Sequence, residues 1–117
     1  MIDKHFAWVL NSETMRLALS LIAIMLLASA TQAQETVRHG RALLQEFCGE
    51  CHAVGVWGRS KHTGAPPFRY LGRSFDLDGL PRALERGVSS DHPDMPEFKF
   101  SEDDANDVRA YLRAIQQ

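Results

Sequence analysis

The residues best able to do chemistry in this chain form one pentapeptide, Cys48-Gly49-Glu50-Cys51-His52. The two-residue spacing allows both sulfurs to reach the two vinyl groups of one porphyrin, and the next imidazole then lies under the iron. C-x-x-C-H is the pattern of a c-type haem attachment site. The sequence therefore predicts one haem c, bound covalently by Cys48 and Cys51, with His52 as an axial ligand of the iron.

Other uses of the two cysteines fit this chain less well. A thioredoxin-like redox pair is expected beside a βαβ pattern, and no stretch of the sequence reads as such a unit. A zinc site needs four ligands, usually from a second C-x-x-C or a closely spaced histidine pair, whereas His62 and His92 are far apart. A disulfide would leave His52 without a role.

The N-terminal region has the composition of an export signal. Met15-Arg16 precedes an uncharged apolar run, Leu17–Ala28, and small-residue cleavage sites follow at 28–30 and 31–33. A basic residue, a short apolar run and such a site define a secretory signal, whereas a transmembrane helix needs roughly 20 apolar residues. We expect residues 1–33 to be a signal peptide, translated from Met1 or from Met15, and an uncleaved membrane anchor is the alternative.

Removal of this segment leaves residues 34–117 as one small domain. Domains of this size bury a modest fraction of their surface and usually need a staple. Both cysteines belong to the haem motif, so folding is expected to depend on the haem. Haem attachment to this motif takes place outside the bacterial cytoplasm, and the periplasm is therefore the predicted location, with membrane attachment if the signal is retained.

The remaining sequence predicts helices and loops, and no run alternates as a strand should. The first helix is expected from Thr36 to about Glu50, with apolar residues at helical spacing. The second is expected over Asp78–Arg86, with a proline in its first turn and Gly87 after its end. The third begins after the N-cap Ser101, with acidic residues in its first turn and an apolar stripe of Ala105, Val108, Tyr111, Leu112 and Ile115 at helical spacing. The fold class is therefore all-α.

Over residues 36–116 the chain resembles the small, soluble, monohaem class I cytochromes c of bacteria. Four elements carry the resemblance: Gly40 to His52, Ala65-Pro66-Pro67-Phe68, His92-Pro93-Asp94-Met95-Pro96 and Val108-Arg109-Ala110-Tyr111-Leu112. The second element is similar to the family's Gly-Pro-x-Leu loop, with alanine and phenylalanine as departures. The resemblance implies the class I fold, in which three main helices and loops wrap around one haem and the terminal helices cross at the glycine.

The resemblance also implies two further site residues. Met95 lies in a loop similar to the one that carries the family's second axial ligand, and it is the one methionine of residues 34–117. A Met/His pair raises the haem potential and closes both axial positions. His92 is a competing ligand, and a gap-filling core methionine is the plain alternative. Pro66 matches the proline whose carbonyl accepts a hydrogen bond from the axial histidine, although Pro67 is a second candidate acceptor.

The predicted function is that of a periplasmic one-electron carrier, not an enzyme, which shuttles electrons between larger redox complexes. A haem-based sensor or peroxidase-like enzyme with a displaceable methionine is one alternative, and a subunit of a larger oxidoreductase is another. The partners are expected to be redox proteins, and the chain to be a monomer. Basic residues exceed acidic ones over 34–75 and the reverse holds over 76–117. This asymmetry can orient a charged partner. Nucleic-acid binding needs a clustered basic excess, and no basic patch in the sequence is strong enough, so nucleic acid is not an expected partner.

Overall fold

The computed structural model describes residues 4–88 and 94–117, with side chains from residue 12 onward. Three α-helices occur in chain order, α1 (Lys4–Phe47), α2 (Leu80–Arg86) and α3 (Glu102–Ile115), and a 3₁₀ helix (Phe68–Arg73) precedes α2. In these described parts the only extended pairing is an isolated antiparallel bridge between Val88 and Phe98. The predicted all-α class is therefore confirmed, and the 3₁₀ helix is an element that the sequence did not predict.

The chain divides into two compact units, residues 1–34 and 35–117. In the first unit, the side chains described from Glu13 onward are exposed to solvent. Ser12–Phe47 is long and apolar enough to cross a membrane, a test that a signal sequence near the N-terminus also passes. The predicted start of a helix at Thr36 is wrong, because α1 already begins at Lys4. Neither glycine nor proline occurs between Lys4 and His39, so nothing in this stretch interrupts a helix.

In the second unit, α1 ends at Phe47, directly before the first cysteine of the haem motif. The helix was predicted to continue to about Glu50, but residues 48–51 form a turn instead. Gly40 and Leu44 are buried, and Val37 and Leu43 are half-buried against the core. The predicted apolar face of the first helix therefore does face the core of this unit.

The C-terminal helix α3 supplies the largest share of that core. Its five predicted apolar positions are all buried: Ala105, Val108, Tyr111, Leu112 and Ile115. Ser101 caps the helix, since its hydroxyl accepts a hydrogen bond from the backbone N–H of Asp104 at 3.2 Å. The predicted N-cap and apolar stripe are thus confirmed.

The short helix α2 begins at Leu80, two residues after the predicted start. The carboxylate of Asp76 accepts hydrogen bonds from the backbone N–H groups of Asp78 and Gly79, at 3.0 and 3.1 Å. These two residues therefore form a turn before the helix. Gly87 ends α2 with a φ of 98°, in the left-handed region that glycine tolerates.

The crossing of α1 and α3 at Gly40 is confirmed. A Cβ atom built on Gly40 would overlap the carbonyl oxygen of Asp107 and lie 2.9 Å from the backbone nitrogen of Val108. Only a residue without a side chain lets the two backbones approach this closely.

Gly40→Ala is therefore expected to destabilise the folded protein, by about 1–3 kcal/mol as for other overpacked sites. Chemical denaturation of the holoprotein measures the change. Gly55→Ala is a matched control, because a Cβ at Gly55 meets no atom closer than 3.8 Å. In an open helix the same change gains about 1 kcal/mol, so a stabilised Gly40→Ala protein would contradict the crossing.

A histidine–carboxylate contact joins the same two helices. Nδ1 of His39 lies 2.8 Å from Oδ2 of Asp107 and 3.9 Å from Oδ1 of Asp104. The hydrogen bond to Asp107 raises the pKa of His39 above its usual value, and the charges of Asp104 and Glu35 act in the same direction. The contact therefore favours the charged imidazole in the folded state.

A raised pKa in the folded state stabilises the protein fully below the pKa of the unfolded chain, about 6.5. That contribution is lost as pH rises through the folded-state pKa of His39. We expect His39→Gln to cost more stability at about pH 5.5 than at about pH 8.5. Denaturation curves at both pH values check this, and Asp107→Asn should reduce the same pH-dependent difference, since it removes the largest cause of the raised pKa. A His39→Gln cost that grows with pH would contradict the prediction.

Candidate functional site

The cysteine–histidine motif forms a tight turn at the end of α1. The backbone N–H groups of Cys51 and His52 both donate to the carbonyl oxygen of Cys48, at 3.1 and 2.9 Å. The two cysteines are not bonded to each other, and both are half-buried. The turn brings both thiols and the imidazole to the wall of one cavity.

The thiol of Cys48 has the opposite character to that of a reactive cysteine. Burial raises its pKa to about 11, with a smaller contribution from Cys51. Cysteines that act in redox exchange or as thiolate ligands have lowered pKa values. Before any bond forms to its sulfur, burial therefore favours the protonated form of Cys48, in contrast to the lowered pKa of a thioredoxin-like cysteine.

The cavity has a volume of about 400 Å³, within the range of about 300–1,000 Å³ typical of ligand and cofactor sites. An apolar space of this size is large enough to hold a ligand or a cofactor. Apolar residues from every helix form most of its wall: Leu44, Phe47, Phe68, Leu71, Leu80, Leu84, Phe98, Phe100, Val108 and Leu112. A large, flat, apolar macrocycle fits this lining.

The polar side chains of the cavity wall are few. Glu50 and Asp94 are exposed, and His62 is half-buried. No buried polar or charged side chain occurs among the described residues. The interior of the cavity is therefore apolar, and its polar groups lie where solvent reaches them, as suits a porphyrin with apolar faces and charged propionates.

The imidazole of His52 makes two contacts with one segment. Its Nδ1 lies 2.8 Å from the carbonyl oxygen of Pro66, and its ring stacks on that of Phe68, with centroids 4.5 Å apart and planes 14° from parallel. A carbonyl only accepts, so Nδ1 carries the proton and donates. The other ring nitrogen, Nε2, then keeps its lone pair for a metal.

Met95 also lines the cavity and is half-buried. The segment that carries it leaves α2 and returns through the bridge at Val88 and Phe98, where the N–H of Val88 donates to the carbonyl of Phe98 at 3.2 Å. The competing ligand His92 and its neighbour Pro93 lie outside the described residues. The described structure therefore places Met95 at the cavity wall, and its role as the second axial ligand stays a prediction.

His62 contacts the segment that carries Met95. From the sequence it was considered only as a zinc ligand. Its Nδ1 accepts from the N–H of Gly64 at 3.1 Å, so Nε2 carries the proton, and Nε2 lies 3.4 Å from Oδ2 of Asp94. The loop that follows the haem motif is thereby tied to the residue preceding Met95. The sequence carried no signal for this pair.

Sequence reasoning also missed an aromatic cluster at the cavity. Phe47 packs edge-on against Phe98 and Phe100, with ring centroids 6.0 and 5.5 Å apart. All three line the cavity. The i, i+2 spacing of Phe98 and Phe100 after the methionine was the available signal, since it places both rings on one side of an extended segment.

Comparison with known proteins agrees with this site. A family model described as cytochrome C oxidase, cbb3-type, subunit III matches residues 35–112. The chain belongs to this family. The match begins after the apolar part of α1 and contains the cysteine motif, the Pro66–Phe68 segment and Met95.

This family member is also similar to cytochrome c-552 of Bradyrhizobium diazoefficiens. The two are 28% identical over 78 residues, which cover 67% of this chain and 73% of the relative. No solved structure matches the chain.

The family, the relative and the C-x-x-C-H motif together confirm three predictions. The protein is a small monohaem c-type cytochrome, its cofactor is covalently bound haem c, and it serves electron transport. The general prediction of an electron-transfer protein therefore agrees with the family to which the chain belongs.

Proposed function

We propose that this cytochrome is an exported one-electron carrier that passes electrons between larger redox complexes. Cys48 and Cys51 hold the haem through thioether bonds, and His52 and Met95 are its axial ligands. The observation that carries the proposal is the shared cavity: His52, with Nδ1 bonded to Pro66, and Met95 line one apolar space. When bound there, the haem supplies the ferrous–ferric couple.

The protein contributes to that couple by keeping the surroundings of the iron the same in the ferrous and ferric states. The hydrogen bond between His52 and Pro66 fixes the tautomer of the imidazole. The thioether of Met95 is a soft ligand that favours the ferrous state and so raises the potential. Because the surrounding wall is apolar, it excludes water and keeps the change in solvation small when the charge on the iron changes.

A closed iron supports a carrier over a sensor or a peroxidase-like enzyme. With both axial positions taken by protein side chains, no site remains for a diatomic ligand or a peroxide. The enzyme alternative requires Met95 to leave the iron, and the contact between His62 and Asp94 holds the segment next to this methionine.

Export is the proposed route to the periplasm. The apolar segment of residues 1–33 supports this proposal, because a signal sequence and an anchor both need such a helix. In the carrier form the segment is cleaved and the domain of residues 34–117 is released as a monomer. N-terminal sequencing of the purified protein, from soluble and membrane fractions, tells the two forms apart.

A second candidate role is that of a cytochrome subunit within a membrane oxidoreductase. The description of the matching family as a subunit of a cbb3-type oxidase favours it, as does the membrane-compatible length of α1. Solubilised membranes that retain the haem c of this chain in a complex with an oxidase would support the subunit over the diffusible carrier.

The carrier is tested by adding carbon monoxide to the ferrous protein and cyanide to the ferric protein. We expect neither to change the absorption spectrum on mixing, and we expect reversible one-electron titration with one midpoint potential. Rapid binding of carbon monoxide to the purified parent protein would contradict the closed iron and favour the sensor or enzyme.

A further inference from the structure

Two contacts on the His52 imidazole restrict it in different ways. The hydrogen bond from Nδ1 to the carbonyl of Pro66, at 2.8 Å, fixes one direction within the ring plane. By itself it leaves the ring free to turn about that direction. The face-to-face contact with Phe68, at 4.5 Å and 14°, fixes the plane itself. A fixed direction together with a fixed plane leaves the ring no rotational freedom.

We propose that Phe68 is a positioning residue that sets the angle of the His52 imidazole plane relative to the haem. The proposal rests on the proposed role of His52 as an axial ligand. Pro66 and Phe68 together form a clamp, in which the proline carbonyl selects the tautomer and the phenylalanine ring selects the plane. The clamp needs the aromatic ring of Phe68, because an aliphatic side chain at this position has no flat face to stack on the imidazole.

The clamp is held in place from both sides of Phe68. Its backbone N–H donates to the carbonyl of Ala53 at 3.1 Å, which ties the segment to the residue directly after His52. Its carbonyl accepts from Nε2 of Gln116 at 2.9 Å, and the same amide nitrogen lies 2.8 Å from the carbonyl of Leu112 in α3. The side chain is buried, with 7% of its surface exposed. The backbone of Phe68 is therefore fixed by contacts that do not involve the imidazole, and its side chain is buried.

The plane of an axial imidazole has a direct electronic consequence. Its π orbital would overlap one of the two iron d orbitals that lie in planes perpendicular to the porphyrin, so the ring angle would decide which of the two is raised in energy. In the ferric low-spin state this choice sets the order of the haem methyl resonances in proton NMR and the g values in electron paramagnetic resonance. These spectra report ring orientation without measuring electron-transfer activity.

The experiment is Phe68→Leu in the holoprotein, which keeps an apolar side chain and removes the flat face. We expect the order of the haem methyl resonances to change and the g-value signals to broaden, because the ring then samples several angles. Phe68→Tyr, which keeps the aromatic face, should restore the parent's pattern. Phe75→Leu is a control for loss of an aromatic ring from the cavity wall, since Phe75 also lines the cavity, with 43% of its surface exposed, and is not the ring stacked on His52.

The outcomes separate the clamp from the proposed function. If the parent lacks a low-spin histidine–methionine spectrum, the axial assignment fails. If the parent has that spectrum and Phe68→Leu keeps the parent's methyl order and g values, the clamp is overturned while the carrier stands. A change of the same kind in Phe75→Leu would also overturn it, because loss of volume in the cavity would then explain the effect. If the Phe68→Leu protein does not fold, Phe68→Tyr is the test. A changed order of the haem methyl resonances in that variant overturns the clamp, and an unchanged order supports it.

Discussion

Replacement of both Cys48 and Cys51 by alanine is expected to abolish covalent haem attachment and to prevent the domain from folding. Without thioether bonds the haem is held by its axial ligands and apolar contacts alone. Without haem, the cavity of about 400 Å³ at the centre of the second unit has no filling. A small domain with an unfilled core lacks the burial needed to offset its chain entropy. Haem staining after denaturing electrophoresis should be complete in the parent and absent in the double variant.

The single variants provide the matched comparison. Cys48→Ala and Cys51→Ala each keep one thiol on the cavity wall and are expected to retain haem through one thioether bond, at reduced yield. Circular dichroism of the purified parent, before and after removal of iron, reports whether the fold depends on the porphyrin or on the metal. Complete extraction of haem from the parent by acidified solvent would contradict covalent attachment.

Replacement of Met95 by alanine is expected to open the iron and lower the reduction potential. The parent ferric protein should show the weak red sulfur-to-iron absorption band, and Met95→Ala should lose it. Cyanide and carbon monoxide should then bind rapidly, because the coordination position is free. The lower potential follows from the loss of a soft ligand that favours the ferrous state. Absorption spectroscopy and redox titration of the parent and the variant measure these effects.

Met95→Leu separates ligation from packing. Leucine fills a similar volume and has no sulfur, so it should behave as Met95→Ala if the residue is a ligand and as the parent if it only fills space. Met95→His should restore a closed low-spin site at a potential below that of the parent. An unchanged band in Met95→Ala would mean that another side chain, such as His92, is the ligand, and would weaken the proposed carrier.

The boundaries of the helices show where local sequence is decisive. Ser101, the acidic first turn and the apolar stripe predicted α3 to its N-cap, because capping and amphipathic spacing act over a few residues. The start of α2 was two residues off, because the carboxylate of Asp76 accepts the N–H groups of Asp78 and Gly79. The N-terminal extent of α1 was missed, since the sequence analysis treated its apolar run as a targeting segment.

In the candidate site, too, some features follow from local sequence and others need the tertiary structure. The C-x-x-C-H motif predicted the haem without any structure, because attachment and ligation need only residue type and short spacing. The choice between Pro66 and Pro67 needed the structure: two carbonyls one residue apart point in different directions, and the one near His52 is that of Pro66. The pairing of His62 with Asp94 joins distant parts of the chain, and no local pattern encodes it.

The sequence by itself determined the cofactor and predicted the two cysteines that bind it and the candidate ligands. Each of these depends on residue identity at positions that are close in the chain or that belong to one motif. Only the tertiary structure decided that Met95 lines the cavity with His52 and that the ring of Phe68 lies flat on the imidazole. Those relations depend on how segments distant in the chain are placed relative to one another. Burial of apolar surface brings these segments together, but the hydrophobic effect has no direction. The partner of each side chain is therefore decided by the packing of the whole domain.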